Sequence, residues 1–126
     1  MATKSPSALI VDSSGVAGVA YARHFERHGW NAAVVTQLID AERKAVRMRP
    51  RVLLVDILSL SQAKRDIRRL KSLPTLLSTA IVVLARSATQ EEISELITAG
   101  ANEVVLTPHT TPAHLVSHID TKYSHL

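Results

Sequence analysis

The sequence predicts an α/β fold: a doubly wound (βα)5 three-layer sandwich on one parallel five-stranded sheet of order 2-1-3-4-5. Three observations predict it. The runs Ala8-Leu9-Ile10-Val11, Val52-Leu53-Leu54-Val55 and Ala80-Ile81-Val82-Val83-Leu84-Ala85 are apolar at successive positions, as in strands covered on both faces. Segments with apolar residues at helical spacing separate them, and alternation of this kind implies right-handed crossovers between parallel strands. Two runs end in an aspartate, Asp12 and Asp56. Open parallel sheets bind ligands outside the carboxyl ends of their strands, where the strand order reverses. In the order 2-1-3-4-5 the first and third strands are neighbours, so Asp12 and Asp56 meet at one rim, where paired acids suit a hard cation or a phosphoryl group.

The elements follow in order. After the first strand, Asp12-Ser13-Ser14 offers side-chain oxygens to a helix that runs to about His28. Gly29 closes it, and Trp30 opens a second strand through Val35. Asp40 to Met48 predicts a helix with Ile39, Ala41, Ala45, Val46 and Met48 inward, stopped by Pro50. The third strand ends at Asp56. A helix from about Ser61 to Leu73 places Ile67 and Leu70 inward and displays Lys64, Arg65, Arg68, Arg69 and Lys71. The fourth strand precedes a Thr89/Glu92 capping box and a helix that stops at Gly100. Glu103 to Leu106 is the fifth strand, and Pro112 starts a last helix to about Tyr123.

The 126 residues suit a single domain, 1–126, with its core at about 7–121. With 46% hydrophobic and 21% charged residues the chain is neither disordered nor fibrous. The absence of cysteine removes disulfides and thiolate metal sites and fits a reducing, cytoplasmic home. No apolar stretch is long enough to span a bilayer, and the start lacks the apolar core of a signal peptide. A net charge of +4 attracts polyanions, but aromatics at 3% leave few platforms for base stacking, which argues against nucleic-acid reading. Asp12-Ser13-Ser14-Gly15 holds one glycine, not a dinucleotide fingerprint.

Three anchors carry a family resemblance: Leu9-Ile10-Val11-Asp12; Val52 to Asp56; and Ala99-Gly100-Ala101-Asn102-Glu103 leading to Thr107-Pro108. Their order and spacing resemble the receiver domain of bacterial response regulators, the flavodoxin-like CheY family, over roughly Ser7 to Asp120. The resemblance implies that Asp56 stands at the phosphoacceptor position. It also implies that Asp12, Asp56 and the Leu58 backbone carbonyl are the protein ligands of a Mg²⁺ ion. Four altered positions accompany it. Ser13 replaces the second acid of the cation site and weakens Mg²⁺. Ala85 stands where a Thr or Ser hydroxyl follows the phosphoryl group, and Thr107 where a lysine pairs with it. Val104 replaces the aromatic switch. Leu60-Ser61 also stands in place of Pro-Gly. A shifted alignment lets Ser87 supply the hydroxyl and Arg86 the charge, beyond the strand end. The family's cis bond implies a cis Thr107-Pro108 peptide.

Each feature carries a plain reading beside its functional one. Asp56 is either a strand-end acid that caps the next loop or a phosphoacceptor, and Asp12 equally caps the first helix. The basic residues between Arg43 and Lys71 form a solvated face or a docking surface for an acidic partner, with Lys64, Arg65, Arg68 and Arg69 as the partner surface. His24/His28 and His114/His118 have metal-ligand spacing, yet packing explains them. Val16 and Val19 point outward if Ala17, Ala20 and Tyr21 point in. Together these predict a degenerate receiver, not an enzyme, that binds a signalling protein, either a histidine kinase or a downstream effector. It requires no cofactor, and the reading leaves room for a homodimer. The alternatives are a weakly phosphorylated receiver using Mg²⁺ and a basic nucleic-acid adaptor.

Overall fold

The computed structural model describes residues 5–125. Five parallel strands, β1 (Ser7–Val11), β2 (Asn31–Val35), β3 (Val52–Asp56), β4 (Ala80–Ala85) and β5 (Glu103–Leu106), form one sheet of order β2-β1-β3-β4-β5. The alternating helices are α1 (Val16–Arg27), α2 (Leu38–Met48), α3 (Leu60–Ser72), α4 (Gln90–Ala99) and α5 (Pro112–Tyr123). The predicted fold class, order and neighbouring of the first and third strands are all present.

The alternation of side chains along each strand divides the core in two. Leu9, Leu53, Ile81 and Val83 face a layer closed by Ala41, Ala45, Ile67, Leu70 and Leu96, from α2, α3 and α4. Ile10, Leu54, Val82 and Leu84 face Tyr21, Phe25, Leu115 and Ile119, from α1 and α5. The central strands are therefore covered on both sides, which is why their sequences are apolar without alternation. Each fully buried leucine or isoleucine contributes about 1.5–3 kcal/mol.

Local signals set the ends. Thr89 and Glu92 form the reciprocal capping box at α4. Thr111 accepts from the His114 N–H at 3.2 Å, with Pro112 in the first turn of α5. Beyond Gly100 the side chain of Asn102 accepts from the Ile81 N–H at 2.9 Å while its own N–H donates to the Ile81 carbonyl at 2.8 Å, so Asn102 starts the β4–β5 pairing.

Several expectations are corrected. In α1 the inward residues are Gly18, Tyr21 and Phe25, whereas Ala17 and Ala20 are exposed beside Val16 and Val19. The helix passes so close to β2 that only glycine fits: a Cβ on Gly18 would lie 2.7 Å from Val34 Cγ1. In α2, Ala41 and Ala45 point inward while Ile39 (47% exposed) and Val46 (58%) face solvent, because they lie on a different stripe of the helix. Lys71 is half-buried, with its stem against Gly100 and its Nζ donating to the Thr79 carbonyl at 2.9 Å. The Thr107–Pro108 bond is trans, not cis. Pro108 lies within a single 3₁₀ turn, Thr107–His109, that carries β5 toward α5, and there the ordinary trans preference of an X–Pro bond prevails.

Candidate functional site

The parallel register fixes the rim. Val11 pairs with Val55, so Asp12 and Asp56 follow side by side on adjacent strands. Both fall on the α1–α5 side by strand alternation, two residues beyond Ile10 and Leu54. The predicted meeting of the two acids is thus built by the β1–β3 ladder.

Asp12 is buried, at 4% exposure, and its carboxylate organises the start of α1. Oδ2 accepts from the Gly18 N–H at 2.9 Å, Oδ1 accepts from the Ser14 N–H at 3.3 Å, and the Ser14 hydroxyl lies 3.1 Å from each oxygen. Ser14 Oγ in turn accepts from the Val16 N–H at 3.3 Å. The helix-capping role expected of Asp12-Ser13-Ser14 is therefore carried by Asp12 and Ser14, and the N-cap position itself is Gly15, in the left-handed region at φ 75°.

Asp56 is half-buried, and burial raises its pKa above the usual carboxylate value, with the Asp12 charge adding to the rise and the Arg86 charge opposing it. The phenol of Tyr21 is raised too, by burial first, then by Asp56 and Asp12. Tyr21 and Arg86 thus complete the electrostatic surroundings of the acids. Sequence reasoning placed Tyr21 in the core without linking it to the rim. The available signal was its spacing from Asp12, which brings the second turn of α1 over the strand ends.

The altered positions are distributed over the loop after β1 and the ends of β4 and β5. Ser13 is exposed. Ala85 is buried at 2% exposure and presents a methyl group. The Thr107 hydroxyl is directed back across β4, 3.5 Å from the Ala85 carbonyl oxygen. Val104 is partly buried against the α2–α3–α4 core and offers no ring. Arg86 and Ser87 are exposed just past β4. The Leu58 side chain is 87% exposed in the loop after β3.

The donor set that the resemblance implies for a divalent cation is the Asp12 and Asp56 carboxylates with the Leu58 carbonyl. Both Asp12 oxygens already accept hydrogen bonds within the protein. Among the described residues no three His, Cys, Asp or Glu side chains converge as a metal cluster.

The histidines are dispersed rather than gathered. His28 Nδ1 lies 3.3 Å from Asp120, and His118 Nε2 lies 2.8 Å from Glu103. The basic residues do share the face formed by α2 and α3. Lys64 pairs with Glu95 at 3.0 Å and Arg69 with Glu42 at 2.5 Å, while Arg65 and Arg68 are exposed with no ion pair among the described residues. No helix among the described residues is long and apolar enough to cross a membrane.

No protein-family model matches the sequence, and no curated protein matches it. Solved structures do. A response regulator from Thermotoga maritima superposes with a TM-score of 0.82 at 21% identity, covering 94% of this chain and 97% of that one. An atypical orphan response regulator, described as having a phosphorylation-independent regulatory mechanism, gives 0.78 at 21% identity over 91% and 92% of the two chains. The receiver domain of a sensor histidine kinase from Pseudomonas aeruginosa PAO1, with magnesium coordinated in its active-site cleft, gives 0.74 at 20% identity over 94% and 97%. The chain has the CheY-like fold of response-regulator receiver domains along nearly its whole length.

Proposed function

We propose that this chain is a degenerate receiver module of the cytoplasm that signals by binding another protein and turns over no substrate. The observation that carries the reading is the composition of the rim. Two acids remain, but a methyl group at Ala85 and a back-turned hydroxyl at Thr107 stand where a phosphoryl group would need a donor and a cation. Preorganised positive charge is the main aid to phosphoryl transfer, because the protein has little covalent chemistry to contribute. Asp12, Asp56 and the Leu58 carbonyl would hold Mg²⁺ weakly, since Asp12 is committed to α1 and Ser13 adds no charge. The partner would be a histidine kinase or a downstream effector.

One observation favours a second reading. The Arg86 charge opposes the rise of the Asp56 pKa, and Ser87 follows it just past β4, so the shifted positions would offer the acids a cation and a hydroxyl. On that reading Asp56 accepts a phosphoryl group slowly. Incubation with acetyl phosphate and Mg²⁺, followed by intact-protein mass spectrometry and amide NMR, separates the two. The proposed function expects no added phosphoryl mass and no shift at the rim. A mass gain abolished by Asp56→Asn would establish the second reading.

A further inference from the structure

We infer that the outward face of α2 is a docking surface for an acidic, amphipathic helical segment of a partner protein. This deepens the reading of the chain as a protein-binding module and rests on it. The helix turns two small alanines, Ala41 and Ala45, to the core and leaves two branched side chains, Ile39 and Val46, in solvent at 47% and 58% exposure. Seven residues apart, they occupy one stripe and are spaced by two turns, about 10 Å.

Positive charge borders this stripe on both flanks. On one side Arg43, Lys44 and Arg47 are exposed and make no ion pair among the described residues. A groove of about 660 Å³ opens there, with Val35 at the end of edge strand β2 and Met48 supplying apolar lining and Asp40 as the one acid. On the other side Arg69 reaches across from α3 to Glu42. Arg65 and Arg68 extend the charge along α3. Together α2 and α3 carry eight basic side chains against three acidic ones, an excess larger than the +4 of the whole chain. Of the eight, Arg43, Lys44, Arg47, Arg65 and Arg68 are exposed with no ion pair among the described residues, whereas Lys64 pairs with Glu95 and Lys71 folds back to the Thr79 carbonyl.

Charge alone would attract any polyanion, and the apolar stripe decides between partners. A phosphate backbone has no group to cover Ile39 and Val46. An amphipathic helix does: apolar residues at i, i+3/i+4 and i+7 lie on the stripe while flanking carboxylates reach the arginines. The charges steer encounter and set orientation, and the apolar contact slows release.

The test uses the full chain and a fluorescein-labelled synthetic helix of about five turns, some 18 residues, with leucines at that spacing and glutamates elsewhere. Two controls are a scrambled peptide of equal composition and a duplex DNA. Anisotropy at near-physiological salt should show the amphipathic peptide binding at least about tenfold more tightly than either control. Ile39→Ser with Val46→Ser, and separately Arg43→Glu with Arg47→Glu, should each weaken it about tenfold or more. Thermal melts confirm that both variants stay folded. Absence of peptide binding, or equal binding of scrambled peptide or DNA, overturns the inference. If both variants bind the peptide as the parent does, the surface assignment is overturned while the protein-binding reading stands. The state of Asp56 is read independently by the phosphodonor experiment.

Discussion

The Gly18 N–H donates to Asp12 Oδ2 over 2.9 Å, which ties the first acid of the rim to the first turn of α1. The approach is close: a Cβ on residue 18 would lie 2.7 Å from Val34 Cγ1 and 3.3 Å from Asp12 Cβ. Val34 is branched and sits on a strand, so it cannot swing away as a long flexible side chain would. Gly18→Ala gains up to about 1 kcal/mol of helix propensity and loses about 1–3 kcal/mol to overpacking. The balance predicts destabilisation, read as a melting temperature lower by several degrees, about 3–6 °C. An unchanged or higher value would mean that α1 stands farther from the sheet.

Asp56 supplies a pH test. A carboxyl whose folded-state pKa is raised binds more protons folded than unfolded, so stability falls as pH rises through the window between the two values. The loss is complete above the folded pKa. Burial and the Asp12 charge raise Asp56 from 3.8, so Asp56→Asn should stabilise the protein at neutral pH, by about 0.5–2 kcal/mol, as relief of a functional-site cost commonly does. The advantage should shrink as pH is lowered toward 3.8. Urea midpoints of both proteins across this range check it; a variant less stable at neutral pH would show that Asp56 is held by favourable contacts instead.

The strands were legible because burial on both faces leaves little choice of residue: Ala80 to Ala85 is six consecutive buried positions, and the run in the sequence has the same ends. The acid pair followed from strand order alone. Helix facing was harder to read. Hydrophobicity assigns Ile39 and Val46 to the core, but the core-facing stripe of α2 is Ala41 and Ala45, with Leu38 and Met48 partly buried beside them. On α1 the close approach to β2 puts Gly18 inward and Ala17 and Ala20 outward. The bearing of Arg86 on Asp56 had no periodic signal, because an exposed side chain past the end of a strand obeys neither helical nor strand alternation.

At the opposite end of the sheet, Glu103 is the attachment point of α5 to the edge strand β5. Its carboxylate accepts from the Tyr123 hydroxyl at 2.5 Å and lies 2.8 Å from His118 Nε2 and 3.2 Å from Lys122 Nζ. Burial pushes its pKa up, but the hydrogen bonds from Tyr123, His118 and Lys122 outweigh that and hold it below 4.5. A depressed carboxyl contributes stability that is present above its unfolded pKa and lost as pH falls through the folded one. Glu103→Gln should therefore cost about 1–2 kcal/mol at neutral pH, with the gap to the parent narrowing as pH falls below 4.5. Denaturant titrations at neutral pH and below 4.5 test this. A pH-independent gap would trace the loss to packing.

The strongest test of the rim is to restore what it lacks. Ser13 is exposed beside buried Asp12, so Ser13→Asp adds a carboxylate without entering the core. It should tighten Mg²⁺ binding about tenfold, because affinity for hard cations rises with ligand charge. Ala85→Thr places a hydroxyl at the end of β4, and Thr107→Lys frees the Ala85 carbonyl and adds an ammonium after β5. The triple variant should take beryllofluoride with Mg²⁺ as a phosphoryl mimic, seen as rim amide shifts that the parent does not show and that Asp56→Asn removes. Each added group supplies charge where the transferred phosphoryl oxygens would sit, so the gain should need all three. A parent chain that binds the mimic as tightly as the triple variant would mean that Arg86 already supplies the charge that Thr107→Lys adds.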